Sequence, residues 1–296
     1  MQGEKRMLAF AALIGGVIAV GWSAIFVRWT EMPGVTSAFY RMLIASVALW
    51  GIVFAKRGRR LQIPAKVIPL TLLGGVFFAA DVGFFNVAVM RTSAGGATFL
   101  GNNAPVVVGL LTWAITRKLP SGRFWLALVT AVVGGALIVS IDWGKMQAAW
   151  TGDLMAVAAS VAFAFFLVAT ERVRAMADTT TIVTLSATAS TVALLACALA
   201  GHMSLAVDGA GPLLAVLGLG LICQVGGYTC LTYALGHLPA TVSSVVMLGV
   251  APVTAILAFF LFGEAMTGIQ MFGGGLILAA VWMISHPTRR EQGLRD

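Results

Sequence analysis

Charged residues are scarce in this chain of 296 residues. Lys and Arg number 19 and Asp and Glu 11, so that 10% of the chain is charged, whereas a soluble domain carries about 25%. Hydrophobic residues make up 59%, and the mean hydropathy is +0.96. This shortage of charge excludes an ordinary soluble domain.

Cysteine and histidine are also scarce, with three of each. Cys223 and Cys230 lie on one apolar segment, roughly 10 Å apart along a helix axis, which is too far for a disulfide; Cys197 is also in an apolar segment. No P-loop is present, which argues against direct ATP drive. The histidines are scattered near loops or span ends: His202, His237 and His286. We expect no disulfide framework, no metal site, no catalytic constellation and no cofactor.

Long apolar segments fill nearly the whole chain. A run of about 18 or more apolar residues predicts a transmembrane helix, and ten such helices leave no room for a soluble catalytic domain. The predicted spans are Met7–Val27, Val35–Ala55, Val67–Met90, Ser93–Thr116, Phe124–Ile141, Leu154–Val173, Thr180–Ala200, Pro212–Leu235, Ala240–Phe262 and Ile269–Ser285.

The positive charges indicate an orientation. The net charge of +8 is not evidence for nucleic-acid binding, because the basic residues lie in short loops between spans. With the N-terminus in the cytoplasm, fifteen Lys and Arg residues fall on the cytoplasmic side and three on the other. This bias predicts N-in and C-in topology, and the run Met7–Val27 is too long for a signal-peptide core.

An internal repeat is visible at about half the chain length. Ala-Pro-Val occurs at Ala104–Val106 and again at Ala251–Val253, an offset of 147 residues. Each copy is followed by a charged turn and a Gly-rich helix. Five helices per half is an odd number, so the halves, 1–145 and 146–296, must insert in opposite directions. Inverted repeats are typical of secondary transporters, whose substrate site lies near the midplane.

The order of several loose motifs resembles the drug/metabolite transporter superfamily, in its ten-helix EamA-type branch. The resemblance covers essentially the whole chain, and it is nearest to the YddG-type exporters of aromatic amino acids. The motifs that carry it are Gly21-Trp22-Ser23, Ala38-Phe39-Tyr40-Arg41, Asn102-Asn103-Ala104-Pro105, Val250-Ala251-Pro252-Val253 and Phe262-Gly263-Glu264.

This resemblance implies an all-α integral membrane protein in the bacterial inner membrane. Two inverted five-helix repeats would surround a central cavity and export small metabolites. The first helix lacks the membrane-embedded Glu that small multidrug exporters of the superfamily use, which argues against their drug/proton mechanism. Since one chain contains both repeats, we expect a functional monomer.

Asp81 is the acidic residue placed near the midplane, and polar groups in lipid usually face a cavity or the protein interior. Two interpretations remain open: a site for a proton or a substrate amine, and a buried acid that holds helices together. Thr98 and Asn102 share one face of the fourth span, before Pro105, which predicts a kink and a polar cavity lining. Pro252 predicts the equivalent hinge in the ninth span.

Further candidate cavity residues lie in the first, third, eighth and ninth spans. Gln224 and Tyr228 are i,i+4 partners and offer donors and acceptors to a zwitterion. Snorkelling to the surface or pairing with Glu31 is the favoured interpretation of Arg41, against a role in gating or carboxylate binding. The remaining candidates are Trp22, Phe85, Ser244 and Met247.

The leading hypothesis is a secondary transporter that exports aromatic and other neutral amino acids by alternating access. Export of another small metabolite or drug, such as a purine or a quaternary amine, is the alternative. A channel-like facilitator and an integral-membrane enzyme are further hypotheses, the latter disfavoured because no cluster of carboxylates, His or Cys marks a membrane face.

Overall fold

The computed structural model describes residues 2–57, 64–92, 94–139, 150–263 and 267–285, and every regular element in these ranges is helical. The predicted boundary between 145 and 146, the Glu264 turn and the basic positions 58–60 lie outside them. The helices are α1 Gln2–Gly21, α2 Ser23–Trp29, α3 Gly34–Arg57, α4 Ile68–Arg91, α5 Ala94–Gly101, α6 Ala104–Thr116, α7 Gly122–Val139, α8 Trp150–Arg174, α9 Thr179–Ala200, α10 Ala210–Gly218, a π-helical segment Leu219–Tyr228, α11 Thr229–Leu235, α12 Ala240–Met247, α13 Val250–Phe262 and α14 Gly268–Ser285.

The helices reproduce the spans that the apolar pattern predicts. In the described ranges nine helical segments are long and apolar enough to cross a membrane, and Gly122–Ile138 is a shorter apolar helix. A helix satisfies its own backbone hydrogen bonds, which is what an apolar environment demands. The predicted ends agree with the observed ones to within a few residues.

The apolar pattern did not show that several spans are interrupted. Asn102 and Asn103 separate α5 from α6, and Leu248 and Gly249 separate α12 from α13. Pro105 and Pro252 lie just beyond these breaks, where each removes a backbone donor from the helical ladder. The eighth span contains the ten-residue π-helical segment, which is rich in glycine. Pro105 and Pro252 predicted the interruptions of the fourth and ninth spans, whereas the π-helical segment has no sign in hydropathy because most of its residues are apolar or small.

Hydrogen bonds show which helix ends share a face of the bundle. Glu171, near the end of α8, accepts a hydrogen bond from the backbone N–H of Ala240 at the start of α12 (3.0 Å). Thr36, near the start of α3, donates to the carbonyl of Ser204 beyond α9 (2.8 Å). The two ends of the bundle are called here the N-terminal face, where α1 begins, and the opposite face.

The two halves of the chain interlock instead of standing side by side. Helix α3 joins α9, where Trp50 Nε1 donates to Thr188 Oγ1 at 3.0 Å. Helix α4 also packs on α9, where Ser190 Oγ donates to the carbonyl of Gly75 at 2.6 Å. Helix α4 packs on α8 through the stacked rings of Phe77 and Phe165. The core is therefore made jointly by both halves.

Glycines bring the last helix of each half into close contact. A Cβ atom built on Gly134 of α7 would lie 2.5 Å from the carbonyl oxygen of Gly273 in α14. Gln270 Nε2 donates to the carbonyl of Ile138 at 3.1 Å, so the two helices run antiparallel. Small residues at such crossings let helix backbones approach closely in membranes.

Candidate functional site

A small cavity lies where the two halves meet. About 30 Å³ of it is open to the centre of a water molecule, enough for roughly two waters. The cavity is therefore too small for a metabolite in this conformation, and the helices around it must separate before one can bind. Its lining residues are Val20, Ser23, Ala24, Arg41, Asp81, Val82, Phe85, Thr98, Gly101, Asn102, Phe163, Tyr228, Val250 and Thr254.

Arg41 of α3 places a cation on the wall of this cavity. Its side chain is 1% exposed. Nη1 donates to Ser23 Oγ at 2.9 Å and Nε donates to Gln224 Oε1 at 3.1 Å. The guanidinium carbon lies 5.3 Å from the ring centroid of Tyr228, which is cation–π distance. These contacts hold the guanidinium in one orientation, and its Nη2 is left buried without a hydrogen-bond partner.

The predicted snorkelling of Arg41 is therefore wrong. The residue lies only two turns from the start of α3, but its polar partners lie inward, on α2 and on the π-helical segment. A sequence signal was present, since a basic residue inside an apolar run usually faces the protein interior or a cavity. Ser23 belongs to the same group and is absent from the predicted site.

Asp81 of α4 lies on the same cavity wall and is 7% exposed. A buried carboxylate without compensation is costly, and the Arg41 guanidinium across the cavity supplies charge of the opposite sign. Asn86, five residues further along α4, faces elsewhere, and its side-chain amide hydrogen-bonds Ser37 Oγ at 3.0 Å. The cavity therefore combines one acidic and one basic side chain from the first half of the chain.

The break in the fourth span adds two polar groups. Thr98 and Asn102 both line the cavity, and Thr98 Oγ1 is buried without a hydrogen-bond partner. Asn102 Nδ2 donates to the carbonyl of Thr98 (2.7 Å), and Asn103 Nδ2 donates to that of Phe99 (2.8 Å). The amide donors thus satisfy carbonyls next to the break, and the hydroxyl of Thr98 is the free group.

A second, smaller cavity lies nearer the N-terminal face, with about 10 Å³ open to the centre of a water molecule. Gln224, Ser186 and Thr232 supply its polar lining. Tyr228 lines both cavities and stands between them. Its ring packs against aromatic side chains of α4 and α8, with centroids 4.6 Å from Phe78, 6.1 Å from Phe163 and 6.4 Å from Phe166.

The structure places the sequence-predicted residues in three groups. Asp81, Phe85, Thr98, Asn102 and Tyr228 line the first cavity, and Gln224 lines the second while contacting Arg41. Pro105 and Pro252 lie at the two helix breaks. The residues that line neither of these cavities are Trp22, which stacks on Phe26, and Ser244 and Met247, which are buried in the packed core.

Comparisons with known proteins place this geometry in context. The sequence model of the EamA-like transporter family matches residues 7–140 and again residues 150–286. The uncharacterized transporter YwfM of Bacillus subtilis (strain 168) is 27% identical over 259 residues, covering 86% of this chain and 84% of that protein. An uncharacterized transporter of Archaeoglobus fulgidus is 26% identical over 266 residues, covering 88% of this chain and 91% of that protein.

The fold also has a counterpart among solved structures. One crystal structure superposes over 100% of both chains with a TM-score of 0.77 at 15% sequence identity. At this identity the similarity concerns the fold alone. The two relatives are transporters by name, and their names specify no substrate.

Proposed function

The chain belongs to the EamA-like transporter family, within the drug/metabolite transporter superfamily, and we propose that it exports neutral amino acids, aromatic ones among them, by alternating access. The single observation that carries this substrate class is the buried cavity between the halves. Its wall combines a guanidinium, a carboxyl group and aromatic rings. A zwitterion with an apolar side chain complements such a wall in both charge and hydrophobicity.

The proposed mechanism needs two halves related by inverted topology, divided near residues 145 and 146. The helix bounds support this relation: α13 begins 146 residues after α6, at Val250 against Ala104, and α14 begins 146 residues after α7. The paired helices have equal lengths, 13 and 18 residues. The offset agrees to within one residue with the 147 of the Ala-Pro-Val match, as expected from the uncertainty of helix ends.

Alternating access requires parts that move and parts that seal. We assign the movement to the breaks at 102–103 and 248–249, with Pro105 and Pro252 as hinges, because helices bend where the backbone ladder is interrupted. Tyr228 is assigned the role of the seal between the two cavities. Asp81, Phe85, Thr98 and Asn102 then meet substrate from the side of the opposite face, and Gln224 meets it from the N-terminal face.

The protein is proposed to act as a monomer in the bacterial inner membrane, with both termini in the cytoplasm. The basic residues that flank the spans on the N-terminal face support this orientation. Transport, not catalysis, is the proposed activity. Export of a purine or a quaternary amine is the competing outcome that the experiment must distinguish.

Counterflow in proteoliposomes tests the proposal. Purified protein is assayed with radiolabelled phenylalanine, tryptophan, threonine and methylviologen, with and without a proton gradient. We expect saturable exchange of the amino acids. Methylviologen flux without amino-acid flux would overturn the substrate class.

Proton coupling is tested by comparing Asp81→Asn with Asp153→Asn, which alters a carboxylate in the first turn of α8 instead of in the cavity. Gradient-driven flux lost only in Asp81→Asn would assign proton coupling to Asp81.

A further inference from the structure

The guanidinium of Arg41 is held by the protein in an incomplete way. Ser23 and Gln224 occupy Nη1 and Nε, and Tyr228 covers the face of the guanidinium. Nη2 is buried and bonds to nothing in the protein. An unsatisfied buried donor destabilises the folded protein. If Arg41 only joined helices, we would expect this donor to be paired.

A second polar group without a hydrogen-bond partner lines the same cavity. Thr98 Oγ1 is buried without a partner, although Thr98 comes from α5, which is a different span from that of Arg41. By contrast, Thr254 Oγ1 on the same wall donates to the carbonyl of Gly21 at 2.9 Å. A guanidinium donor and a hydroxyl that can donate, both without partners on one small cavity, are the arrangement expected of a site for an anionic group.

We propose that Arg41 and Thr98 bind the carboxylate of the substrate and that Asp81 binds its ammonium group, which makes the ligand an α-amino acid zwitterion. The assignment deepens the proposed function and rests on it. Arg41 is thereby the specificity-determining residue for the carboxylate. An anion without an amine leaves Asp81 unpaired in the cavity, and an amine without a carboxylate leaves Arg41 unpaired, so the site binds each of them more weakly than the zwitterion.

Three ligands that share one aromatic ring test the assignment. Phenylalanine, phenethylamine and 3-phenylpropionate compete against radiolabelled phenylalanine in counterflow with the wild type, Arg41→Gln and Asp81→Asn. We expect Arg41→Gln to weaken phenylalanine by about 10- to 100-fold, the loss of one charge-assisted hydrogen bond, and to change phenethylamine by less than about 3-fold. Asp81→Asn should instead remove the preference for phenylalanine over 3-phenylpropionate.

Arg41→Gln also removes bonds to Ser23 and Gln224, so a second variant protects the test against misfolding. Thr98→Val removes a hydroxyl that has no protein partner, and it should weaken phenylalanine and 3-phenylpropionate while sparing phenethylamine. Thr71→Val is the matched control, since it removes a buried hydroxyl of α4 that donates to the carbonyl of Val67 at 2.8 Å and lines neither cavity, and it should leave the ratio of the three ligands unchanged. Equal weakening of all three ligands in both Arg41→Gln and Thr98→Val would overturn the assignment.

Failure of the proposed function is separable from failure of this assignment. If the wild type shows no phenylalanine counterflow, amino-acid export is refuted. Thermal stabilisation of the purified protein by the same three ligands then decides the binding site alone. Stabilisation by the two carboxylates that is lost in Thr98→Val and kept in Thr71→Val supports the carboxylate site. Stabilisation that is identical in both variants, or absent in the wild type, overturns it.

Discussion

The crossing of α7 and α14 provides a sharp test of the packing, because the nearest neighbour of a Cβ atom on Gly134 is a backbone oxygen and not the end of a movable side chain. A Cβ atom on Gly134 would lie 2.5 Å from the carbonyl oxygen of Gly273, 2.9 Å from Leu276 Cβ and 3.1 Å from Ile277 Cγ1. The carbonyl oxygen cannot rotate away within a helix. In Gly134→Ala the two helices must therefore separate, and the contact between the halves opens.

The magnitude follows from the cost of overpacking. Forcing an extra methyl group into a close-packed contact costs about 1–3 kcal/mol. For a domain of 150–250 residues each kcal/mol lowers the melting temperature by about 2–4 °C, so we expect a fall of roughly 2–12 °C. Gly275→Ala on α14 is the matched control, because its Cβ would meet nothing within 4 Å. Better helix propensity should make that variant neutral or up to about 1 kcal/mol more stable.

Thermal unfolding of the purified variants in one detergent, followed by tryptophan fluorescence, measures the difference. Gly134→Ala should melt below the wild type and Gly275→Ala at or above it. If the two variants melt together, α7 and α14 do not cross at Gly134, and the argument that small residues join the halves fails.

Three further predictions concern the seal, a helix cap and the orientation. Tyr228→Ala joins the two cavities, and it should raise several-fold the efflux of preloaded phenylalanine measured without a counter-substrate. Tyr228→Phe keeps the ring and should keep the seal. Equal efflux from the two variants would refute the assignment of Tyr228 as the seal. Asp178 caps α9 by accepting from the backbone N–H of Thr181 at 3.1 Å, so Asp178→Ala should cost about 1 kcal/mol in unfolding measurements, and no loss would contradict the cap. A green fluorescent protein fused to the C-terminus should fluoresce and a fused alkaline phosphatase should be inactive; the reverse pattern would refute a cytoplasmic C-terminus.

The spans were predictable because bilayer thickness and backbone satisfaction leave few solutions for a long apolar run. Ala240–Phe262 was predicted with the same ends as the structure has, although it is divided at Leu248 and Gly249. The π-helical segment Leu219–Tyr228 had no signature in hydropathy. Within it, Gly227 lies close to Gly16 and Val20 of α1 across the boundary between the halves, a contact that hydropathy does not encode.

The candidate site was predicted only in part, because the contacts that form it join residues that are distant in the chain. Asp81, Thr98 and Asn102 stood out because polar residues in lipid usually face the interior. Arg41 was misjudged because its distance from the span end suggested an escape to the surface, and its actual partners are 18 and 183 residues away in the chain. Ser244 and Met247 were counted as cavity residues from their place before Pro252, but they are buried in the core.

The sequence by itself determined that this protein is a membrane-embedded helical bundle with two related halves. Those properties depend on local hydrophobicity and on repetition along the chain. Only the tertiary structure decided which polar groups face one another. Arg41, Asp81, Thr98 and Tyr228 come from four different spans, and their meeting at one cavity depends on how the halves interlock and where the helices break. Charge complementarity in the site is therefore a property of packing across the two halves, which no single segment of the sequence contains.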